Sequence, residues 1–228
     1  MKYLNQVLEY FDVSDKYRSY QIQLLIKYVG KNILEVGAGR GKIIETLSLD
    51  SSRKFTLLEL DNSFYEFLIK NLQSEKIRIM NKNSNSLREK FDTIIYLDVI
   101  EHIENDEEEL DVALSLLENN GYLIIIVPAF QFLFSDFDKN VGHFRRYNKN
   151  FFKEYRKKNN LEIEQLKYFD IIGFFIIFLS KFLKLTNSKK TILGIKIWNF
   201  LIPVSKFLDK LILHNLGKSI ICVYKKVN

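Results

Sequence analysis

Between residues 35 and 41 the chain reads Glu35-Val36-Gly37-Ala38-Gly39-Arg40-Gly41. Three glycines at alternate positions let a backbone turn tightly and let a ligand approach the main chain. The third glycine follows the second by two residues, not the three of the dinucleotide fingerprint. No Gly-Lys-Ser/Thr closes the run as in a phosphate loop. Further on, Leu58-Glu59-Leu60-Asp61 sets two acids two residues apart, on one side of an extended chain. Glu59 lies 22 residues after Gly37, which fits one strand–helix–strand unit. A carboxylate there can accept both hydroxyls of a ribose. Asp61 can instead cap the helix that follows.

Two more constellations carry polar chemistry. Asp98-Val99-Ile100-Glu101-His102-Ile103 follows an apolar run, and Asp98 and His102 are its candidate catalytic groups. His102 titrates near neutrality and could take a proton, or could make a structural hydrogen bond at a helix start. Val141-Gly142-His143-Phe144-Arg145-Arg146-Tyr147 is unusually rich in polar and aromatic groups for a connection. His143 is a candidate proton acceptor. Arg145 and Arg146 offer planar donors for a carboxylate or phosphate, with Tyr147 beside them. The plainer alternative is a packed loop in which one arginine bridges to Asp136 or Asp138.

The elements that must position these residues alternate strand and helix. Helices are expected at 4–11, 15–29, 41–49, 63–73, 105–119 and 151–159. Apolar runs are expected as strands at Ile33–Val36, Phe55–Leu60, Ile77–Met80, Phe91–Leu97 and Tyr122–Val127. Short continuous apolar runs between helices predict a parallel sheet buried on both faces, hence a doubly wound α/β domain. Strands at 161–168 and 219–224 follow, with a helical segment between them.

Together these residues resemble the class I methyltransferases that use S-adenosylmethionine. Glu35 to Gly41 looks like the first motif of that family, Glu59 matches its ribose acid, and Asn83 stands where an Asp usually lies near the adenine. Asp98 to Ile103 is similar to a stretch that flanks the cofactor. Gly142 to Tyr147 is nearly identical to a Gly-His-Phe/Tyr-Arg-Arg-Tyr segment of a microbial subgroup. Asn119-Asn120-Gly121 replaces the Pro-Gly-Gly that often precedes the fifth strand. The resemblance implies a Rossmann-like seven-stranded sheet with the last strand antiparallel. It implies S-adenosyl-L-methionine as cofactor, with Glu35, Gly37, Ala38, Gly39, Gly41, Glu59, Leu60, Asn83, Ser84 and Asp98 lining its site. The alternatives are an oxidoreductase using NAD and a non-catalytic cofactor-binding protein that docks on membranes.

Composition bounds the rest. The chain has 228 residues, 47% hydrophobic and 27% charged, as a folded globular protein does. One cysteine, Cys222, excludes an intrachain disulfide, and three histidines leave little for a metal site, so no metal is expected. The acidic start lacks an apolar core, so no secretory signal is expected and the cytoplasm is the expected compartment. Residues 1–150 carry 19 Lys and Arg against 23 Asp and Glu, whereas 151–228 carry 15 against 5. The expected units are N-terminal helices at 1–30, a cofactor-binding domain at 31–168 plus 218–228, and an apolar, basic insertion at 169–217. Its run Ile171–Ser180 would span about 15 Å as a helix, against about 30 Å of hydrocarbon. It is therefore read as a lid over the acceptor pocket or as a peripheral membrane contact, with Lys181, Lys184, Lys189, Lys190, Lys196, Lys206 and Lys210 near headgroups. The expected acceptor is a small or lipid-linked molecule. Nucleic acid is disfavoured, because the aromatics sit in apolar blocks and not between cations.

Overall fold

The computed structural model describes residues 14–183 and 188–227. The expected helix 4–11 and Lys184 lie outside these residues, as do the side chains of 182–192. The strands are β1 (Asn32–Val36), β2 (Lys54–Leu58), β3 (Ile77–Met80), β4 (Phe91–Leu97), β5 (Leu117–Pro128), β6 (Leu161–Phe169) and β7 (Ser219–Lys226). They form one sheet in the order β3-β2-β1-β4-β5-β7-β6. β7 runs antiparallel to both neighbours, and the other pairs are parallel. This is the expected sheet, last strand antiparallel.

Alternation along each strand divides the core in two. Ile33, Leu57, Ile95, Ile124 and Val223 face one layer. Their chain neighbours Leu34, Leu58, Ile94, Ile125 and Cys222 face the other. Both faces are buried, so the strands read as unbroken apolar runs. The first layer is covered by α1 (Asp15–Leu25) and α2 (Lys42–Leu47), with α3 (Asn62–Leu72) contributing Leu68. On the other face lie α4 (Asp106–Leu116) and α6 (Lys149–Asn159), the latter preceded by the short α5 (Asp136–Val141). The chain reverses its winding between β1 and β4, and the ligand crevice of such a sheet opens at that switch point.

Several boundaries differ from the sequence expectation. α1 stops at Leu25 and tightens into a 3₁₀ turn at Ile26–Tyr28. α2 has six residues, ending at Leu47. α4 stops at Leu116, and β5 starts at Leu117, five residues before the expected Tyr122. A register shift between Phe91 and Thr93 accommodates the extra segment, with Asn120 at φ 63°. Gly121 is fixed by crowding, since an added Cβ would lie 2.9 Å from the Asp92 carbonyl oxygen.

The insertion is two helices, α7 (Ile171–Leu183) and α8 (Ser188–Leu211), between β6 and β7. Two fully buried acids tie it down. Asp170 accepts from Trp198 Nε1 (2.7 Å), Ser205 Oγ (2.9 Å) and Gly173 N (2.9 Å). Asp209 accepts from Tyr20 Oη (2.8 Å), Asp170 N (2.6 Å) and Ile171 N (2.9 Å). Buried acids need such donors, and here the donors come from the insertion itself and from α1. Trp198 and Ile202 also join the core layer of Tyr17 and Phe169.

Candidate functional site

The carboxyl ends of β1, β2, β4 and β5 contribute Val36, Leu58, Leu97 and Pro128 to one cavity of about 670 Å³. That size lies within the usual range for small-molecule sites, roughly 300–1,000 Å³. Its walls include twelve of the residues singled out from sequence: Glu35, Gly37, Ala38, Gly39, Glu59, Leu60, Asn83, Ser84, Asp98, His102, His143 and Arg146.

The glycine loop leaves β1 with Gly37, Gly39 and Gly41 all in the left-handed region (φ 69°, 55° and 67°). Each has a different neighbour. A Cβ on Gly37 would lie 2.6 Å from Val99 Cγ2, and one on Gly41 would lie 2.3 Å from Leu72 Cδ1. A Cβ on Gly39 would meet nothing within 4 Å, so Gly39 fronts open space. Gly41 does not line the cavity; its crowding against α3 shapes the turn from behind.

Glu59, at the end of β2, is 8% exposed. Its Oε2 accepts from Gly39 N (2.7 Å) and its Oε1 from Asp61 N (2.8 Å). Both oxygens are thus fixed by backbone, and a carboxylate keeps further lone pairs for ligand hydroxyls. Asp61 caps α3, accepting from Ser63 N (2.8 Å) and Phe64 N (3.1 Å). Glu35 is buried, and its Oε2 has no hydrogen-bond partner. Burial pushes its carboxyl up to about 8, with Arg18 opposing and Glu59 adding to the rise.

On the other side, Asp98 turns out of β4 with a left-handed backbone (φ 56°). Glu101 is fully buried, and neither carboxylate oxygen has a hydrogen-bond partner. Burial and the nearby charge of Asp98 push its carboxyl well above the usual range. The rings of His102 and His143 meet edge to face at 4.5 Å. His102 is exposed, yet the protein packed against its ring and the neighbouring His143 bring its pKa down to about 4.

Asp138 organises the segment that carries His143. It accepts from Arg146 Nε (2.8 Å) and Nη2 (3.1 Å), and its Oδ1 lies 2.9 Å from His143 Nδ1. Burial alone would raise its carboxyl, but the His143 and Arg146 hydrogen bonds prevail and hold it near 2. The guanidinium of Arg146 is therefore engaged within the protein. Arg145 and Tyr147, expected on the acceptor side, lie outside the cavity lining. Arg145 donates to Glu104 O (2.6 Å) and pairs with Asp106 (3.0 Å). The Tyr147 hydroxyl donates to Asp106 (2.7 Å) and lies 3.2 Å from Ile100 O. These bonds clasp the loop after α5 to the 98–106 segment, while the packed-loop alternative is met by Arg146, which bridges to Asp138.

The cavity also takes in Tyr17 and Arg18 from α1, Ile177 from α7, and Lys218 before β7. Sequence reasoning missed these; Asp138 it offered only as one possible partner for an arginine. No local spacing links them to the glycine loop; only the closed fold brings them there.

Residues 14–166 match a family described as "Methyltransferase domain". The ubiquinone biosynthesis O-methyltransferase of Dictyostelium discoideum is 25% identical over 111 residues, 42% of this chain and 35% of that protein. The chain thus matches about a third of that curated relative's length. A chain of the complex between the Haloferax volcanii Trm112 methyltransferase activator and a methyltransferase superposes with a TM-score of 0.68, at 8% identity over 99% of this chain and 98% of that one. A SAM-dependent methyltransferase from Archaeoglobus fulgidus superposes with a TM-score of 0.63, at 13% identity over 93% of this chain and 94% of that one.

Proposed function

The chain belongs to the methyltransferase-domain family, and from that premise we propose that it transfers the methyl group of S-adenosylmethionine to a small-molecule or lipid-linked acceptor. The observation that carries this reading is the crevice at the β1/β4 switch point, with Glu59 fixed at its wall by two backbone amides. The residues present fit the cofactor. Glu59 takes the ribose hydroxyls, Gly39 leaves room for close approach, and Asn83 and Ser84 stand at the adenine end. Glu35, with an unpartnered oxygen, suits the cationic portion. Nothing in the glycine spacing favours a nicotinamide dinucleotide.

When bound, the cofactor would supply an electrophilic methyl carbon on cationic sulfur for an acceptor's lone pair. The protein's task is alignment and exclusion of water. Asp98 and His102 flank the transfer site, with His143 behind them. Arg146 braces that wall through Asp138.

The insertion divides its work between two helices. α7 acts as a lid: Ile177 reaches the cavity, and Lys181 Nζ donates to Phe134 O (2.9 Å). α8 turns an apolar stripe outward. Leu193, Ile197, Phe200, Val204, Phe207 and Leu211 recur at alternating spacings of four and three, each about half-exposed or more. Lys196, Lys206 and Lys210 share the helix, a pattern suited to lying in an anionic membrane interface. Among the described residues no helix is long and apolar enough to cross a membrane.

The test is incubation with methyl-labelled S-adenosylmethionine and a cell extract, followed by separation of lipid, glycan, protein and small-molecule fractions. Label is expected in the lipid or small-molecule fraction. Label confined to protein or glycan would reject the acceptor class, and absence of transfer would reject the activity.

A further inference from the structure

Glu101, His102 and His143 each offer a ligand atom, and these atoms all lie within 4.8 Å of one another at the cavity wall. Three features of the cluster are hard to explain as packing alone. Glu101 is fully buried, yet neither oxygen meets a hydrogen-bond donor. Leaving such a group unmet costs more than an ordinary hydrogen bond contributes. His143 Nδ1 is engaged with Asp138 at 2.9 Å, so with its proton on Nδ1 the ring turns the lone pair of Nε2 toward Glu101 Oε1, 3.9 Å away. With Glu101 ionised, two acceptors then converge with no donor between them. Finally, a carboxylate bonded to the far nitrogen of an imidazole is the arrangement that orients metal-binding histidines, and Asp138, itself held by Arg146, provides it.

We infer that Glu101, His102 and His143 form a binding site for a divalent first-row transition cation, with its remaining coordination positions facing the cavity. One carboxylate and two imidazoles suit manganese or zinc better than magnesium, which prefers an all-oxygen shell. The separations exceed those of a closed coordination sphere by an ångström or so, a gap that side-chain rotation on binding can take up. The cation's role deepens the transfer reading and rests on it: open positions beside Asp98 would anchor an acceptor through an oxygen atom. This inference departs from the sequence expectation of no metal. Three scattered histidines carry no ligand spacing, and the fold alone pairs two of them.

The histidines make the test direct. The chain has three, His102, His143 and His214. Mn²⁺ is titrated into the chelator-treated full-length protein while the imidazole proton resonances are followed by NMR. Two of the three should broaden at substoichiometric Mn²⁺, with the His214 signal, assigned from a His214→Gln variant, remaining sharp. Calorimetry should give one equivalent bound, weakened at least tenfold in Glu101→Gln, with S-adenosylmethionine affinity changed less than threefold. Uniform broadening, no saturable binding, or equal Mn²⁺ affinity in a folded Glu101→Gln variant would overturn the site. Cofactor binding measured in the same samples without Mn²⁺ separates that failure from failure of the transfer reading. If Glu101→Gln does not fold, the broadening pattern in the unmutated chain decides alone.

Discussion

Two buried glutamates line the same cavity and are satisfied in opposite ways. Glu59 receives backbone amides on both oxygens, from Gly39 and from Asp61 two residues on. Glu101 receives none. The first is positioned by its own loop and the glycine loop together and presents a finished surface to a ligand. The second depends on something beyond hydrogen bonding within the chain. The difference teaches how such a site divides: the cofactor wall is built from the loops that leave successive strands β1, β2 and β3, whereas the opposite wall is assembled from α5, the loop after it and the 98–106 segment.

The comparison can be broken or sharpened by substitution. The largest effect is expected from Asp138→Ala, which strands the buried Arg146 guanidinium and releases His143. Breaking a buried pair from one side costs about 3–5 kcal/mol, so thermal unfolding should shift strongly downward. If the two walls are independent, any folded fraction still binds cofactor within several-fold; equal loss of both would join them.

A middle-sized effect belongs to Glu35, on the cofactor wall. Its folded-state pKa, about 8, is raised above the unfolded value by burial. The folded chain then holds a proton that the unfolded chain has released, so this group's stability is full below about pH 4 and is lost as pH rises toward 8. Glu35→Gln should remove that slope from a plot of unfolding free energy against pH. A cationic ligand beside Glu35 favours its charged form, so cofactor binding near pH 7 should also release a proton. Calorimetry in buffers of different ionisation enthalpy measures it, and no release would place the cationic group elsewhere.

The smallest change is expected for Arg145→Ala. The side chain is about a third exposed and its partners are Asp106 and the Glu104 carbonyl. Such pairs contribute about 1 kcal/mol or less. A stability change in that range with turnover kept within threefold fits a clasp; a large rise in KM at unchanged stability would return Arg145 to the acceptor side.

Much of the fold was legible because its strands are buried on both faces. Ile33–Val36, Ile77–Met80 and Phe91–Leu97 stand out as apolar runs for that reason, and the glycine loop follows β1 and Glu59 follows β2 as expected. The boundary between α4 and β5 was not legible, since Leu117 pairs with Phe91 through a register shift that no periodicity reveals. Arg145 and Tyr147 drew attention as polar groups in a loop, but their partners lie some forty residues away. Arg18 and Lys218 reach the cavity from opposite ends of the chain. Local spacing can mark a turn that grips a ligand; it cannot mark a wall made by long-range contact.

The central claim, that Glu59 and the glycine loop hold the adenosine of S-adenosylmethionine, is tested most directly by calorimetric titration of that cofactor into the unmutated chain and a folded Glu59→Ala variant. One-to-one binding that weakens about 100-fold on loss of the charged acceptor is the predicted result. Equal affinity in the two proteins, or no binding to the unmutated chain, would contradict it.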